Sequence, residues 1–208
     1  MGTRVAVFAS FVCSIAFALF PAANTFAADV AKIAEDCAGC HGKDGVSTEP
    51  KIPTIAGYSA VYLGDNLIAY KNKERPCPDA KYASGEKKGQ TTNMCEVAKG
   101  LSDQDADALG KHFASKKFVR AKQTFDTAKA AQGEKIHGAN CKKCHEGGGS
   151  SAEDDAGILA GQWMPYLTHT FEQYMSGKRL QPKKMQEKTE QLSKEDIEAL
   201  VHYYGSFQ

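Results

Sequence analysis

Two cysteines and a histidine recur at one spacing in two places along this 208-residue chain: Cys37-Ala38-Gly39-Cys40-His41 and Cys141-Lys142-Lys143-Cys144-His145. That spacing points to one chemistry. Two thiols on a single helical turn reach the two vinyl groups along one edge of a haem, and the histidine that follows stands beneath the iron as an axial ligand. A redox C-x-x-C pair and half of a zinc site are the rival readings of such a motif. Two copies, each followed by His, in an exported chain, favour haem. Two covalently attached haem c groups are therefore the expected cofactors. Cys37, Cys40, Cys141 and Cys144 would form the thioethers, and His41 and His145 would ligate iron.

Export is read from the start of the chain. Arg4 precedes a nearly continuous apolar run from Val5 to Phe20, and Thr25-Phe26-Ala27 places small residues at a cleavage site. This is the pattern of a cleaved secretory signal peptide over residues 1–27, with the mature protein in the periplasm. A membrane anchor would need a longer run, and Pro21 interrupts this one.

Of seven cysteines, Cys13 leaves with the leader. Cys77 and Cys95 are then the two that belong to neither haem motif. In an oxidising compartment they are expected to form a disulfide rather than two free thiols. The chain carries 26 Lys+Arg against 25 Asp+Glu, and Arg4 is lost with the leader. No basic field calls for nucleic acid, and no second apolar run calls for a membrane span.

The chain is an internal repeat of unequal halves. At an offset of 104 residues His41 falls on His145, Ile55-Ala56-Gly57 on Leu159-Ala160-Gly161, Tyr62 on Tyr166, Tyr70 on Tyr174 and Arg75 on Arg179. From Leu101 onward the offset is 91, so the first half carries 13 extra residues between Arg75 and Leu101. At this second offset Met94 falls on Met185, both in polar, loop-like sequence before a helix start. Met164 and Met175 have no counterparts, and Met175 reads as a packing residue within a helix. Met94 and Met185 are therefore the expected second iron ligands, because a soft sulfur opposite His suits an electron carrier.

The elements that must position these groups are helical. Ser102-x-x-Asp105 and Ser193-x-x-Asp196 read as helix N-caps. Apolar faces follow each, through Leu109 and Phe113 and through Leu200 and Tyr204. A middle helix is predicted in each half, over about 58–72 and 162–176, and short helices should carry the cysteine pairs. No period-two run supports a sheet. Glu146 to Asp155 reads as a mobile loop. The fold class is all-α: a first domain over 28–114, a linker over 115–127 and a second domain over 128–208. The linker is basic but also contains Phe118, Val119 and Phe125, so it should lie along both domains. Each half is thin, and a buried haem would supply much of its core.

With these motifs in place, the chain resembles the dihaem class I cytochromes of the cytochrome c4 type. It is also similar to the dihaem cytochrome subunit of flavocytochrome c sulfide dehydrogenase. The c4-like features are the first haem motif with Gly42, Ile55-Ala56-Gly57 and Gly100-Leu101-Ser102-Asp103. The sulfide-dehydrogenase-like features are Ala121 to Asp126, the second haem motif, and Ile158 to Leu167 around Trp163. The resemblance implies two tandem class I cytochrome c domains with their haems close together, and the ligand pairs His41–Met94 and His145–Met185. It implies that the Pro53 carbonyl holds His41, and Gly157 is the counterpart of Pro53. The Cys77–Cys95 segment departs from the sulfide-dehydrogenase subunit.

The expected function is one-electron transfer by a carrier that is not itself an enzyme. The first reading is the cytochrome subunit of a sulfide-oxidising flavoenzyme, with a flavoprotein partner. The second is a free shuttle feeding a terminal oxidase, a small cytochrome or another redox enzyme. A dihaem peroxidase would need an open iron position, which paired methionines argue against. His112, His137, His169 and His202 read as solvent or packing residues, and Trp163 as core. Lys142, Lys143, Lys183 and Lys184 read first as a solvated face, with steering of an acidic partner the alternative.

Overall fold

A computed structural model describes residues 1–2, 25–153 and 155–208. Most of the expected leader lies outside the described residues. Helix α1 (Thr25–His41) runs through the expected cleavage point after Ala27. No described helix is long and apolar enough to cross a membrane.

The two halves are built alike. In the first, α1 leads to α2 (Ala60–Lys71), a short hairpin of β1 (Ala80–Lys81) and β2 (Thr91–Thr92), α3 (Met94–Lys99) and α4 (Asp103–Ala114). In the second, α5 (Thr127–Asn140) is followed by one turn of α6 (Glu146–Gly149), then α7 (Met164–Met175), α8 (Lys183–Thr189) and α9 (Lys194–Gly205).

The last helix of each half begins with a capping box. The Ser102 hydroxyl accepts from the Asp105 N–H at 3.1 Å, and the Asp105 carboxylate accepts from the Ser102 N–H at 2.9 Å. Ser193 and Asp196 repeat this at 3.0 Å in both directions. Two orphan donors at each helix start are thereby satisfied. The apolar faces that follow build one core per half. Leu109 and Phe113 pack with Ala34 of α1 and with Leu63 and Leu67 of α2. Leu200, Val201 and Tyr204 pack with Leu167 and Phe171 of α7. Helices α5 and α9 meet closely at Gly133, where a Cβ would come within 2.1 Å of the Ala199 carbonyl oxygen. Only glycine permits that approach.

Main-chain bonds repeat as well. Ile55 donates to the Gly45 carbonyl (2.8 Å) and Leu159 to that of Gly149 (2.7 Å). Gly57 donates to Phe113 (2.9 Å) and Gly161 to Tyr204 (2.8 Å). The second of each pair is the first displaced by the repeat.

The halves are joined by a nearly reciprocal set of buried bonds. Gln162, fully buried, accepts from the Thr54 N–H at 3.1 Å and donates to the Thr54 carbonyl at 2.9 Å. Tyr58, its counterpart in the repeat, donates to the Ile158 carbonyl at 2.8 Å and accepts from the Gln162 amide at 2.9 Å. The Trp163 indole donates to the Ser47 carbonyl at 3.0 Å. The linking segment lies against both halves: Phe118 packs near Tyr58, and Ala121 donates to the Gly161 carbonyl at 2.7 Å. Replacing Gln162 with Leu leaves the buried Thr54 groups unpaired, each costing about 1–3 kcal/mol. Q162L should therefore melt several degrees lower, and a split calorimetric transition would show the halves uncoupling. An unchanged melt would contradict this role.

Three local features differ from expectation. The middle helices are about two residues shorter at their starts. Ser59 caps α2 by accepting from the Tyr62 N–H at 3.0 Å, and Pro165 in the first turn of α7 fixes that start. The hairpin was not expected, because two-residue strands paired Ala80 to Thr92 and Lys81 to Thr91 are too short for a period-two signal. The Gly-rich segment after His145 opens with a pinned turn rather than a loop. Gly147 and Gly148 adopt φ of 59° and 72°, conformations that glycine tolerates.

Candidate haem-binding sites

The first C-x-x-C-H motif forms the last turn of α1. The helix stops after His41 because Gly42 turns left-handed, with φ 76°. Cys37 packs on the core of its half, and Cys141 does so in the second. Neither Cys37, Cys40, Cys141 nor Cys144 is in a disulfide. Burial pushes the Cys37 thiol up to about 11 and raises Cys40 and Cys141 in the same direction.

His41 is buried, and its Nδ1 lies 2.9 Å from the Pro53 carbonyl oxygen. A carbonyl only accepts, so Nδ1 carries the proton and Nε2 keeps its lone pair for a metal. Burial lowers the His41 pKa, which favours the neutral ring that a metal needs. In the second half, His145 heads α6. The buried His137 lies beside it and shares a 3.1 Å hydrogen bond with the Tyr204 hydroxyl.

Met94 occupies the first turn of α3, capped by Asn93, whose side chain accepts from the Glu96 N–H at 3.0 Å. Met185 lies in the first turn of α8. Both are half-buried and inside short helices, not in loops before them. Neither belongs to the two core clusters that hold Cys37 and Cys141. Met164 packs on the second core, whereas Met175 is 43% exposed and fills no core.

Cys77 and Cys95 are joined in a disulfide, with Cα atoms 5.7 Å apart and a sequence separation of 18. The bridge ends one residue after Met94. Cys77→Ser with Cys95→Ser should cost about 2–4 kcal/mol, the loss for opening a loop of this kind. Thermal melting of the double variant, compared with wild type under reducing conditions, checks this. A wild type unmoved by reduction would count against it.

A second group of residues was visible as repeat matches but had no assigned role. Arg75 stacks on Tyr70, 4.3 Å from its centroid, and Arg179 on Tyr174 at 4.6 Å. Arg75 donates to Asn66, and Arg179 reaches across the halves to the Tyr62 hydroxyl at 3.3 Å. Burial pushes the Tyr166 phenol up, but the two guanidiniums, with bonds from Thr170 and Arg75, hold it below its ordinary value. Arg75 Nε and Arg179 Nη1 are buried without a hydrogen-bond partner. Among the described residues, neither guanidinium has a carboxylate within 4 Å. Cations with buried, open donors call for an anion. The carboxylates of haem fit them, as the free thiols and the His41 tautomer fit the rest of that group. The signal was the spacing of Arg75 and Arg179 at the 104-residue offset. Without the fold it could not be told from packing.

The first C-x-x-C-H motif closes α1, whereas the second forms a non-helical turn just after α5 and not the short helix expected, because α5 ends at Asn140. Two such motifs in two like halves define a dihaem c-type cytochrome. The model of the cytochrome c family matches residues 27–115, and that of the cbb3-type cytochrome c oxidase subunit III matches residues 128–203. Cytochrome c4 of Stutzerimonas stutzeri is 32% identical over 180 residues, covering 80% of this chain and 82% of that one. The cytochrome subunit of sulfide dehydrogenase of Chlorobaculum tepidum is 33% identical over 79 residues, 38% of this chain and 58% of that one. The crystal structure of reduced recombinant cytochrome c4 from Pseudomonas stutzeri superposes with a TM-score of 0.69 at 29% identity, covering 88% of this chain and 98% of that one. The chain belongs to the cytochrome c4 family. It is a mostly helical electron-transfer protein of two cytochrome c domains, with one covalent haem c in each.

Proposed function

We propose that this chain is a periplasmic one-electron carrier of two His/Met-ligated haems, working as a free shuttle to a redox enzyme. The first domain spans 28–114, the second 128–208, and 115–127 links them. His41 and Met94 would hold the iron of the first haem, and His145 and Met185 that of the second. The observation that carries this reading is the repeat itself. It sets Met94 and Met185 in register, each in the first turn of a short helix that precedes the capped last helix of its half. When bound, the haem iron supplies reversible change between ferric and ferrous states. The residues would do the rest: the Pro53 carbonyl holds the His41 ring, the Met94 and Met185 thioethers would hold the irons and leave no place for a substrate, and the apolar cores would exclude water.

Membership of a sulfide-oxidising flavoenzyme is the second reading, supported by the likeness to the sulfide dehydrogenase subunit. Purification from the native host separates the two. A monomer inert to sulfide supports the shuttle. Co-purification with a flavin subunit, and haem reduction by sulfide, supports the subunit. Ready carbon monoxide binding by the native ferrous protein would favour a peroxidase instead.

A further inference from the structure

The two haem attachment turns face the surface differently. In the first half the β1–β2 hairpin folds back over the turn. Ala83 and Ser84 donate to the Gly39 carbonyl at 2.8 and 3.1 Å. Tyr82 lies so close to Gly39 that a Cβ there would meet its ring at 2.7 Å. Lys87 reaches Asp36 at 2.8 Å and stands over the Tyr82 ring. Cys40 Sγ lies 3.9 Å from the Lys81 carbonyl oxygen. The hairpin belongs to the 13-residue excess and is tethered by the Cys77–Cys95 disulfide.

Among the described residues, the second half has no such hairpin. The position of Gly39 is taken by Lys143, which is exposed, and Cys144 is exposed where Cys40 is half-buried. The thioether sulfurs mark one edge of each haem, so their exposure reports how near that edge comes to a docking partner. Lys142 and Lys143 lie within the second motif, and Lys183, Lys184 and Lys188 lie on α8, all exposed. Lys188 lies near enough to Cys141 to act on its thiol electrostatically. Among the described residues, none of the five forms an ion pair within 4 Å. Glu146, Glu187 and Glu190 oppose them in the same segments, leaving an excess of positive charge.

We propose that the thioether edge of the second haem, framed by Lys142, Lys143 and Lys188, docks a redox protein with an acidic surface, while the hairpin closes the equivalent edge of the first. This rests on the carrier reading and adds a direction to it: electrons exchange with that partner through the second half. Opposite charge would steer the encounter and make its rate fall with salt.

The test uses the oxidised holoprotein and the iron(II)–EDTA dianion as reductant, mixed in a stopped flow at several ionic strengths. One electron leaves the probe, whose iron becomes ferric, and one haem iron becomes ferrous; no bond or proton need move. Haem content and full reduction by dithionite are measured first. Failure of the wild type there would overturn the carrier reading separately. In reducible protein, Lys143→Glu with Lys188→Glu should slow second-order reduction roughly tenfold at low salt and flatten its salt dependence. Lys81→Glu with Lys88→Glu, the same reversal on the hairpin, should leave the rate nearly unchanged. Tyr82→Ala with Lys87→Ala, which loosens the cover, should add a faster phase from the first haem. An unchanged rate in the Lys143/Lys188 variant, an equal fall in the hairpin reversal, or no new phase on loosening the hairpin would overturn the proposal.

Discussion

Met94→Ala should lower the potential of the first haem by on the order of 0.1 V or more, and Met185→Ala should do the same for the second. Axial ligands command a span of roughly 0.8 V in haem potential, and a thioether opposite histidine lies toward its upper end. Replacing sulfur by water or a vacancy removes a soft ligand that favours the ferrous state. The same change opens the iron, so the ferrous variants should bind carbon monoxide where wild type does not. Spectroelectrochemical titration of each variant reads the potential, and the absorption spectrum under carbon monoxide reads the open site. Met175→Ala is the control, because that side chain is exposed and should move neither. If Met94→Ala or Met185→Ala titrated like wild type, the assigned ligand at that haem would be wrong.

Cys37→Ser with Cys40→Ser should remove one haem and, with it, the fold of the first half. The core there is small: Ala34, Leu109 and Phe113 are its buried members, with Cys37 and its neighbours packed around them. A domain of this size has little apolar surface to bury and depends on its prosthetic group. Losing that group should cost on the order of 5 kcal/mol, comparable with the whole stability of a small domain. The variant should show half the haem content and a large loss of helical circular dichroism. The second half, with its own core of Leu167, Phe171, Leu200, Val201 and Tyr204, should keep its haem. Full haem content, or an unchanged melting profile, would contradict the dependence of the first half on its thioethers.

Much of this architecture was legible before any coordinates. The capping boxes at Ser102 and Ser193 were read from four-residue patterns, because a cap is a local event. The disulfide partners followed from counting cysteines. The repeat aligned residues that the fold then joined by equivalent bonds, such as Ile55 to Gly45 and Leu159 to Gly149.

What stayed hidden was non-local or too short. The hairpin has two-residue strands, and its role depends on Tyr82 meeting Gly39, 43 residues earlier in the sequence numbering. The glycine in one motif and lysine in the other gave no hint until the hairpin was seen on that glycine. Gln162 read as an ordinary part of a motif around Trp163, yet it satisfies the backbone of Thr54 across the interface. Arg75 and Arg179 were matched in the repeat, but their buried donors without a carboxylate are visible only in three dimensions.

The central claim is that two haems are attached covalently, one to each C-x-x-C-H turn. Intact-mass spectrometry of the exported protein under denaturing conditions tests it most directly. The account predicts the mass of the processed chain plus two haem increments, with peptides spanning Cys37–His41 and Cys141–His145 each carrying one. A mass with a single increment or none, or haem lost on denaturation, would contradict it.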